Sequence, residues 1–135
     1  MSRKIARELA FKVIFSVDFQ HENEDVEKLI MNLEDETKEI TQEDKGYIND
    51  IIKGVMAKKE ELDEKIRKYL KGWTMDRISK TDLAILRLAI YEITYRDDIP
   101  YKVSVNEAVE LAKTFSDSTS SSFINGVLAG VVTEL

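Results

Sequence analysis

The chain has 135 residues, of which 43% are apolar and 34% are charged, a composition typical of one soluble helical domain. The absence of cysteine excludes disulfide bonds and thiolate metal sites, and five glycines with one proline argue against an all-β fold. The sequence has no apolar run of about 18 residues and no signal-peptide pattern, so we expect a cytoplasmic protein that does not enter a membrane.

The formal net charge of −6 is unevenly distributed along the chain. Residues 1–20, the first basic segment, carry four basic and two acidic side chains, whereas residues 21–64 carry 15 acids against six lysines. Residues 65–80, the second basic segment, carry six basic side chains and one acid. Because a phosphate backbone responds to the local potential, a chain that is acidic overall can still bind RNA through a basic patch.

Apolar spacing predicts four helices in the first half of the chain. A second helix is predicted from about Asp25, and Thr41 with Asp44 forms a capping-box pattern that predicts the start of a third. A fourth helix is expected to end near Gly72. The first helix is amphipathic, with its basic side chains off an apolar stripe of Ala6, Leu9, Ala10, Val13, Ile14 and Val17.

In the second half, Ser79 and Asp82 form another capping-box pair. The helix that follows is apolar around so much of its circumference that we expect it to be central, and it should end before Pro100. Ser104 with Glu107 is a third capping-box pattern and predicts the start of a short helix.

A serine-rich loop is predicted at residues 116–122, before a last helix that starts at Phe123. About seven helices with short connections predict an all-α bundle. We expect a single domain over residues 1–135, built from two packed helical half-bundles of about residues 1–72 and 73–135.

The sequence contains no motif that predicts catalysis. His21, the single histidine, lies among acidic and polar residues and is expected to be solvated, because a metal or general-base role needs partners. Asp97 and Asp98 are adjacent in sequence and do not face each other across a cleft. Phosphate-binding loops, GxSxG and HExxH are also missing. We therefore expect a protein that is not an enzyme and has no cofactor or metal.

The basic face of the first helix has two interpretations: a solvated polar face, which charge alone favours, or a surface that contacts RNA phosphates. Phe15 lies off the main apolar stripe, so its ring is either a core residue or a platform for an unstacked base. The serine-rich loop is either a flexible linker or a hydroxyl-rich rim that binds a ligand, with Phe123 at its end.

Four segments resemble the NusB family of bacterial transcription antitermination factors. They are ARELAFKVIFSVD at 6–18, DLAILRLAIYEI at 82–93, IPYKVSVNEAVELAKTF at 99–115 and FINGVL at 123–128. The resemblance implies an all-α fold of two small helical bundles and a role without catalysis. It also implies pairing with ribosomal protein NusE, binding of boxA RNA, and help in assembling an antitermination complex on RNA polymerase, chiefly during ribosomal RNA transcription.

The resemblance also implies which side chains contact each partner. Its RNA-binding residues match Arg3, Lys4, Arg7, Lys12, Phe15, Thr119, Ser120, Ser122 and Phe123. Its NusE-binding residues match Asp82, Tyr91, Glu92, Asn106 and Glu107. This chain departs from many relatives where Thr119 and Ser122 replace an aspartate and a lysine, so one repulsion and one attraction for RNA are lost together.

Two questions stay open at the level of sequence. A helical scaffold that binds NusE without touching RNA is the alternative function. Family members are found as monomers and as dimers, so a homodimer is possible, and such a dimer would be able to cover the first helix.

Overall fold

A computed structural model describes residues 3–20, 28, 40–72 and 74–135. The helix predicted from about Asp25 and the solvated position predicted for His21 lie outside these residues. The described helices are α1 (Arg3–Gln20), α2 (Gln42–Ala57), α3 (Lys59–Lys68), α4 (Lys80–Tyr95), α5 (Tyr101–Phe115) and α6 (Ser118–Val132), with a 3₁₀ helix at Met75–Arg77. The described residues form no strand, and the prediction of an all-α fold is confirmed.

Two helices begin where the capping-box patterns predicted. The Thr41 side-chain oxygen accepts a hydrogen bond of 3.1 Å from the backbone N–H of Asp44. Ser79 Oγ accepts one of the same length from the backbone N–H of Asp82. Each cap satisfies an N–H group that has no partner inside its helix, which fixes the first residue of α2 and of α4.

Ser104 does not start a helix, and that prediction is wrong. Helix α5 begins directly after Pro100, whose φ of −59° is fixed by its ring and suits a chain about to enter a helix. Ser104 therefore lies one turn inside α5, where it is buried and donates a 2.8 Å hydrogen bond to Glu92.

Residues 118–122 of the serine-rich segment are helical rather than part of a loop, so that prediction is also wrong. Asp117 caps α6, since its Oδ1 accepts a 2.8 Å hydrogen bond from the backbone N–H of Ser120. The cap makes helix formation favourable despite the serine content. Helix α3 likewise ends at Lys68, before the predicted Gly72, which lies beyond it in a turn with φ of 77°.

Helix α4 is central, as predicted. Its residues from Asp82 to Glu92 are all buried, and the helix packs against each of the other five. Gly54 of α2 lets one of these contacts become very close, because a Cβ there would lie 2.1 Å from Cζ of Tyr91. The division into half-bundles near residue 72 stays a prediction. No helix in the described ranges is long and apolar enough to cross a membrane.

Candidate nucleic-acid interface

Arg7 and Glu92 bind each other in the interior. Arg7 is 3% exposed and Glu92 is fully buried. The guanidinium donates two hydrogen bonds to the carboxylate, from Nε at 2.7 Å and from Nη2 at 3.2 Å. Tyr47 and Ser104 also donate to Glu92, so this one carboxylate joins four helices, α1, α2, α4 and α5.

This pair corrects two predicted roles. Arg7 is not available to RNA and Glu92 is not available to a protein partner, because each side chain is enclosed and bonded to the other. Burial alone would lower the pKa of Arg7, but the hydrogen bond and charge of Glu92 outweigh it and raise that pKa. Burial and the adjacent Glu92 carboxylate also raise the pKa of the Tyr47 hydroxyl.

The other cations of α1 differ in how exposed they are. Arg3 Nε lies 2.9 Å from Oδ1 of Asp44, and its guanidinium carbon is 4.4 Å from the centre of the Tyr47 ring, so it is held against the acidic first turn of α2. Lys4 is exposed. Lys12 is also exposed, and its Nζ lies 3.4 Å from Oε1 of Glu8 on the preceding turn. Such a surface pair contributes about 0–1 kcal/mol and leaves Lys12 able to bind another anion.

Lys12 and Phe15 line a shallow aromatic cavity of about 290 Å³. Phe11 also lines it, and the centre of its ring is 6.3 Å from that of Phe15 and 5.1 Å from that of Phe115. The ammonium of Lys12 is 5.6 Å from the centre of the Phe115 ring, within the range of a cation–π contact. Phe15 is half-buried, so both sequence interpretations apply in part: it packs on the core and also borders a surface cavity.

The first turn of α6 borders a second cavity, of about 330 Å³. Ser120 Oγ donates a 3.0 Å hydrogen bond to Oδ2 of Asp82 and accepts one of 2.7 Å from Ser116. Thr119 and Phe123 line the same cavity. Hydroxyl groups and one aromatic ring therefore face a common space at the start of a helix.

Asp82 forms part of the wall of this second cavity. It is only 7% exposed, and its Oδ1 has no hydrogen-bond partner among the described residues. Burial raises the pKa of its carboxyl, the hydrogen bond from Ser120 opposes that shift, and the charge of Asp117 adds to it. Asp82, predicted to contact NusE, is thus largely buried, and its exposed part faces the cavity.

The two cavities are adjacent on one side of the molecule. Thr81 borders the first and Asp82 the second, while Phe115 borders the first and Ser116 the second. Predicted RNA-binding residues more than a hundred positions apart in sequence are therefore brought together here. Arg3 precedes Lys12 by nine residues on α1, roughly 14 Å along the helix axis, and lies away from this surface. The gathered residues are Lys12, Phe15, Thr119, Ser120 and Phe123.

The five residues predicted to contact NusE do not form one surface. Tyr91 is 8% exposed and donates a 2.8 Å hydrogen bond to Asp50, and burial together with that bond raises its pKa to about 12. Its ring packs over Gly54, which makes it a core residue. Asn106 is exposed and Glu107 is half-exposed, and both lie on α5.

Two further cations, which were not predicted as site residues, border cavities on this surface. Arg77 lines the second cavity, and Lys71 lines a third of about 190 Å³ that also includes Ser122 and Phe123. Both belong to the second basic segment, whose excess charge was the only signal for them. Among the described residues, no three side chains of the metal-binding types gather as a metal site.

An all-α fold that collects hydroxyl, cationic and aromatic side chains on one surface defines a small helical binding protein. The chain belongs to the NusB family, whose family model matches residues 4–133. This membership confirms the resemblance seen in the four sequence segments and agrees with the prediction of a protein that is not an enzyme.

Relatives match nearly the whole chain. It is 48% identical to the transcription antitermination protein NusB of Acetivibrio thermocellus over 132 residues, which are 98% of this chain and 89% of that protein. It is 45% identical to the protein of the same name from Clostridium botulinum over 145 aligned positions, covering 98% of this chain and 100% of that protein.

Solved structures share the fold. A structure of T. maritima NusB has a TM-score of 0.90 and 33% identity, with 99% of this chain and 92% of that chain covered. A crystal structure of the antitermination factors NusB and NusE in complex with dsRNA has a TM-score of 0.86 and 25% identity, with 98% of this chain and 97% of that chain covered.

Proposed function

We propose that this protein is a transcription antitermination factor that binds boxA RNA together with ribosomal protein NusE. In the cytoplasm, the pair helps to assemble the antitermination complex on RNA polymerase during ribosomal RNA transcription. The observation that carries this proposal is the meeting of Lys12 and Phe15 with Thr119, Ser120 and Phe123 at two adjacent cavities. The names of the relatives and the NusB–NusE–dsRNA structure support it.

The chemistry of the surface suits single-stranded RNA. Unstacked bases bind flat rings, and base–aromatic stacking contributes about 1–3 kcal/mol per base. Phe15 and Phe123 supply such rings, while Lys12 supplies an exposed charge for a phosphate beside them and Lys4 supplies another exposed charge farther along α1. The side chains of Thr119 and Ser122 are exposed on the first turns of α6, where they can hydrogen-bond to ribose or base edges.

Arg7 acts indirectly in this account. Its ion pair with Glu92 fixes α1 against α4, so that Lys12 and Phe15 are held in place opposite the start of α6. The protein partner uses α5, where Asn106 and Glu107 are accessible, and reaches Asp82 through the second cavity.

A protein-only scaffold that binds NusE without RNA is the second candidate. The cavity formed by Phe11, Phe15 and Phe115 favours it, because such an aromatic site also fits an apolar side chain of a protein. In that case, the ring of Phe15 contacts the partner and no base.

A titration with fluorescent boxA RNA, with and without NusE, separates the two functions. We expect binding that is strengthened by NusE and weakened about 5- to 160-fold by Phe123→Ala, since loss of one stacking contact costs about 1–3 kcal/mol. Tyr101→Ala is the control for removal of an exposed ring, because Tyr101 lines none of the three cavities. Since Tyr101 lies on α5, this control is compared in the titration without NusE. NusE binding without any RNA binding favours the scaffold and rejects the proposal.

A further inference from the structure

We propose that Lys71 and Arg77 hold RNA phosphates next to the Phe123 ring, which makes the second basic segment part of the RNA-binding surface. This inference rests on the proposed RNA-binding function. It adds two cations to that site. It also gives the RNA strand a path over the surface, from Lys12 on α1 across the start of α6 to Lys71.

Phe123 borders two cavities, and each has a cation in its wall. Phe123 shares the cavity of about 190 Å³ with Lys71, Tyr69 and Ser122. It shares the cavity of about 330 Å³ with Arg77. A base stacked on Phe123 would therefore have its two neighbouring phosphates within the reach of one cation each, which is the combination of ring and charge that single-stranded RNA requires.

The other cations of the second basic segment are already engaged. Lys65 and Lys68 lie 3.0 and 3.2 Å from the two carboxylate oxygens of Glu134. Arg67 lies 2.7 Å from Glu64, and Lys80 also has a partner.

Lys71 and Arg77, in contrast, are exposed and have no ion pair within the described ranges. A phosphate can bind them without breaking an existing ion pair, and the counterions released on binding favour association. This difference separates them from the rest of the second basic segment and selects them as phosphate contacts.

Arg77 is attached to constrained backbone. It is the last residue of the 3₁₀ helix, and the next residue, Ile78, is buried in the core. Anchoring at this point keeps the Arg77 side chain near Phe123, which reduces the conformational entropy lost on binding.

The acidic side chains nearby define where the phosphates lie. Asp82 and Asp117 line the same cavity as Arg77, and each accepts a hydrogen bond from Ser120, Asp82 from its Oγ and Asp117 from its backbone N–H. Their negative charge repels phosphate from the cavity interior, so the backbone runs along the rim at Arg77. Asp76, beside Arg77 in sequence, is hydrogen-bonded by Thr74 instead.

The test measures the affinity of the full chain with NusE for single-stranded boxA RNA over a series of salt concentrations. The test variant is Lys71→Ala/Arg77→Ala. The control variant is Arg67→Ala/Lys68→Ala, which removes two charges from the same segment at exposed positions. The slope of log affinity against log salt is negative, and each contact to a phosphate of single-stranded RNA contributes about 0.7 to its magnitude. We therefore expect the slope of the test variant to be shallower than that of the wild type by about 1.4.

We further expect the test variant to weaken RNA binding about 10-fold or more at low salt, while the control variant keeps the wild-type slope. The NusE affinity and the melting temperature of the test variant should stay unchanged. A test variant with the wild-type slope, or a control variant with an equal loss, overturns the inference. Loss of NusE binding in the test variant also overturns it, because the cations then contact protein.

The outcomes separate this inference from the proposed function. If the wild-type chain binds no boxA RNA with NusE present, the proposed function and this inference are both rejected. If the wild-type chain binds RNA and Phe123→Ala weakens it, but Lys71→Ala/Arg77→Ala binds as the wild type does, only the assignment of the two cations falls.

Discussion

Arg7 and Glu92 are 85 positions apart in sequence and form a bidentate ion pair in the core. The pair joins the helix that carries Lys12 and Phe15 to the central helix α4. Positioning of the proposed RNA surface and stability of the fold are therefore linked through two buried side chains.

Removing one member of this pair should destabilise the protein strongly. Arg7→Ala leaves the Glu92 carboxylate buried without its cation, and we expect a loss of about 3–5 kcal/mol in the free energy of unfolding, measured by urea denaturation. Arg67→Ala, which removes an exposed ion pair, should cost about 1 kcal/mol or less. A loss for Arg7→Ala no larger than that of Arg67→Ala contradicts the proposed role of the pair.

The contact between Gly54 and Tyr91 should not tolerate a side chain. Gly54→Ala places a Cβ 2.1 Å from Cζ of Tyr91, whose hydroxyl is held by Asp50, so we expect about 1–3 kcal/mol of destabilisation. Gly46→Ala is the control, because a Cβ at that helical position meets nothing within 4 Å and should stabilise by up to about 1 kcal/mol. In a Tyr91→Leu background the ring that the new Cβ meets is gone, so Gly54→Ala should destabilise the protein less. An equal destabilisation in the two backgrounds would mean that the strain does not arise at Tyr91.

Glu134 should make stability depend on pH. Hydrogen bonds from Tyr69, Lys65 and Lys68 lower its pKa in the folded protein from 4.5 to about 2. The folded state then binds this proton less tightly than the unfolded state, so the stabilisation is complete above about pH 4.5 and is lost as the pH falls through about 2. The difference in melting temperature between wild type and Glu134→Gln should therefore narrow as the pH falls from about 4.5 to about 2. A difference that stays constant with pH rejects this account.

The Asp117 cap should control the first turn of α6. Asp117→Ala removes the acceptor for the backbone N–H of Ser120, and we expect a loss of about 0.5–2 kcal/mol together with faster hydrogen exchange at residues 119–121. Ser118→Ala, at the exposed neighbouring position, should change neither. Equal exchange rates in the two variants would mean that the turn is held by other contacts.

Local signals in the sequence predicted local structure well. Thr41 and Ser79 start helices as their patterns indicate, because a cap acts within three residues of itself. Ser104 misled the prediction because Pro100, four residues earlier, starts the same helix. The serines after residue 116 are helical because Asp117 caps them, and composition alone suggested a loop.

The candidate site was less predictable, because its burial depends on residues far away in sequence. Helical spacing correctly places Arg7 off the apolar stripe of α1, but α4 covers that face too, which only the packing of helices reveals. Lys71 and Arg77 belong to a basic segment evident from charge, yet their position beside Phe123 depends on how α3 and α6 pack.

The most direct test of the proposed RNA surface is photochemical cross-linking of boxA RNA to the complex of this protein with NusE, followed by mass spectrometry of the peptides. We expect cross-links to the peptide that contains Phe123 and to the α1 peptide that contains Phe15. Cross-links confined to the acidic stretch of residues 40–64, or found on NusE alone, would contradict it.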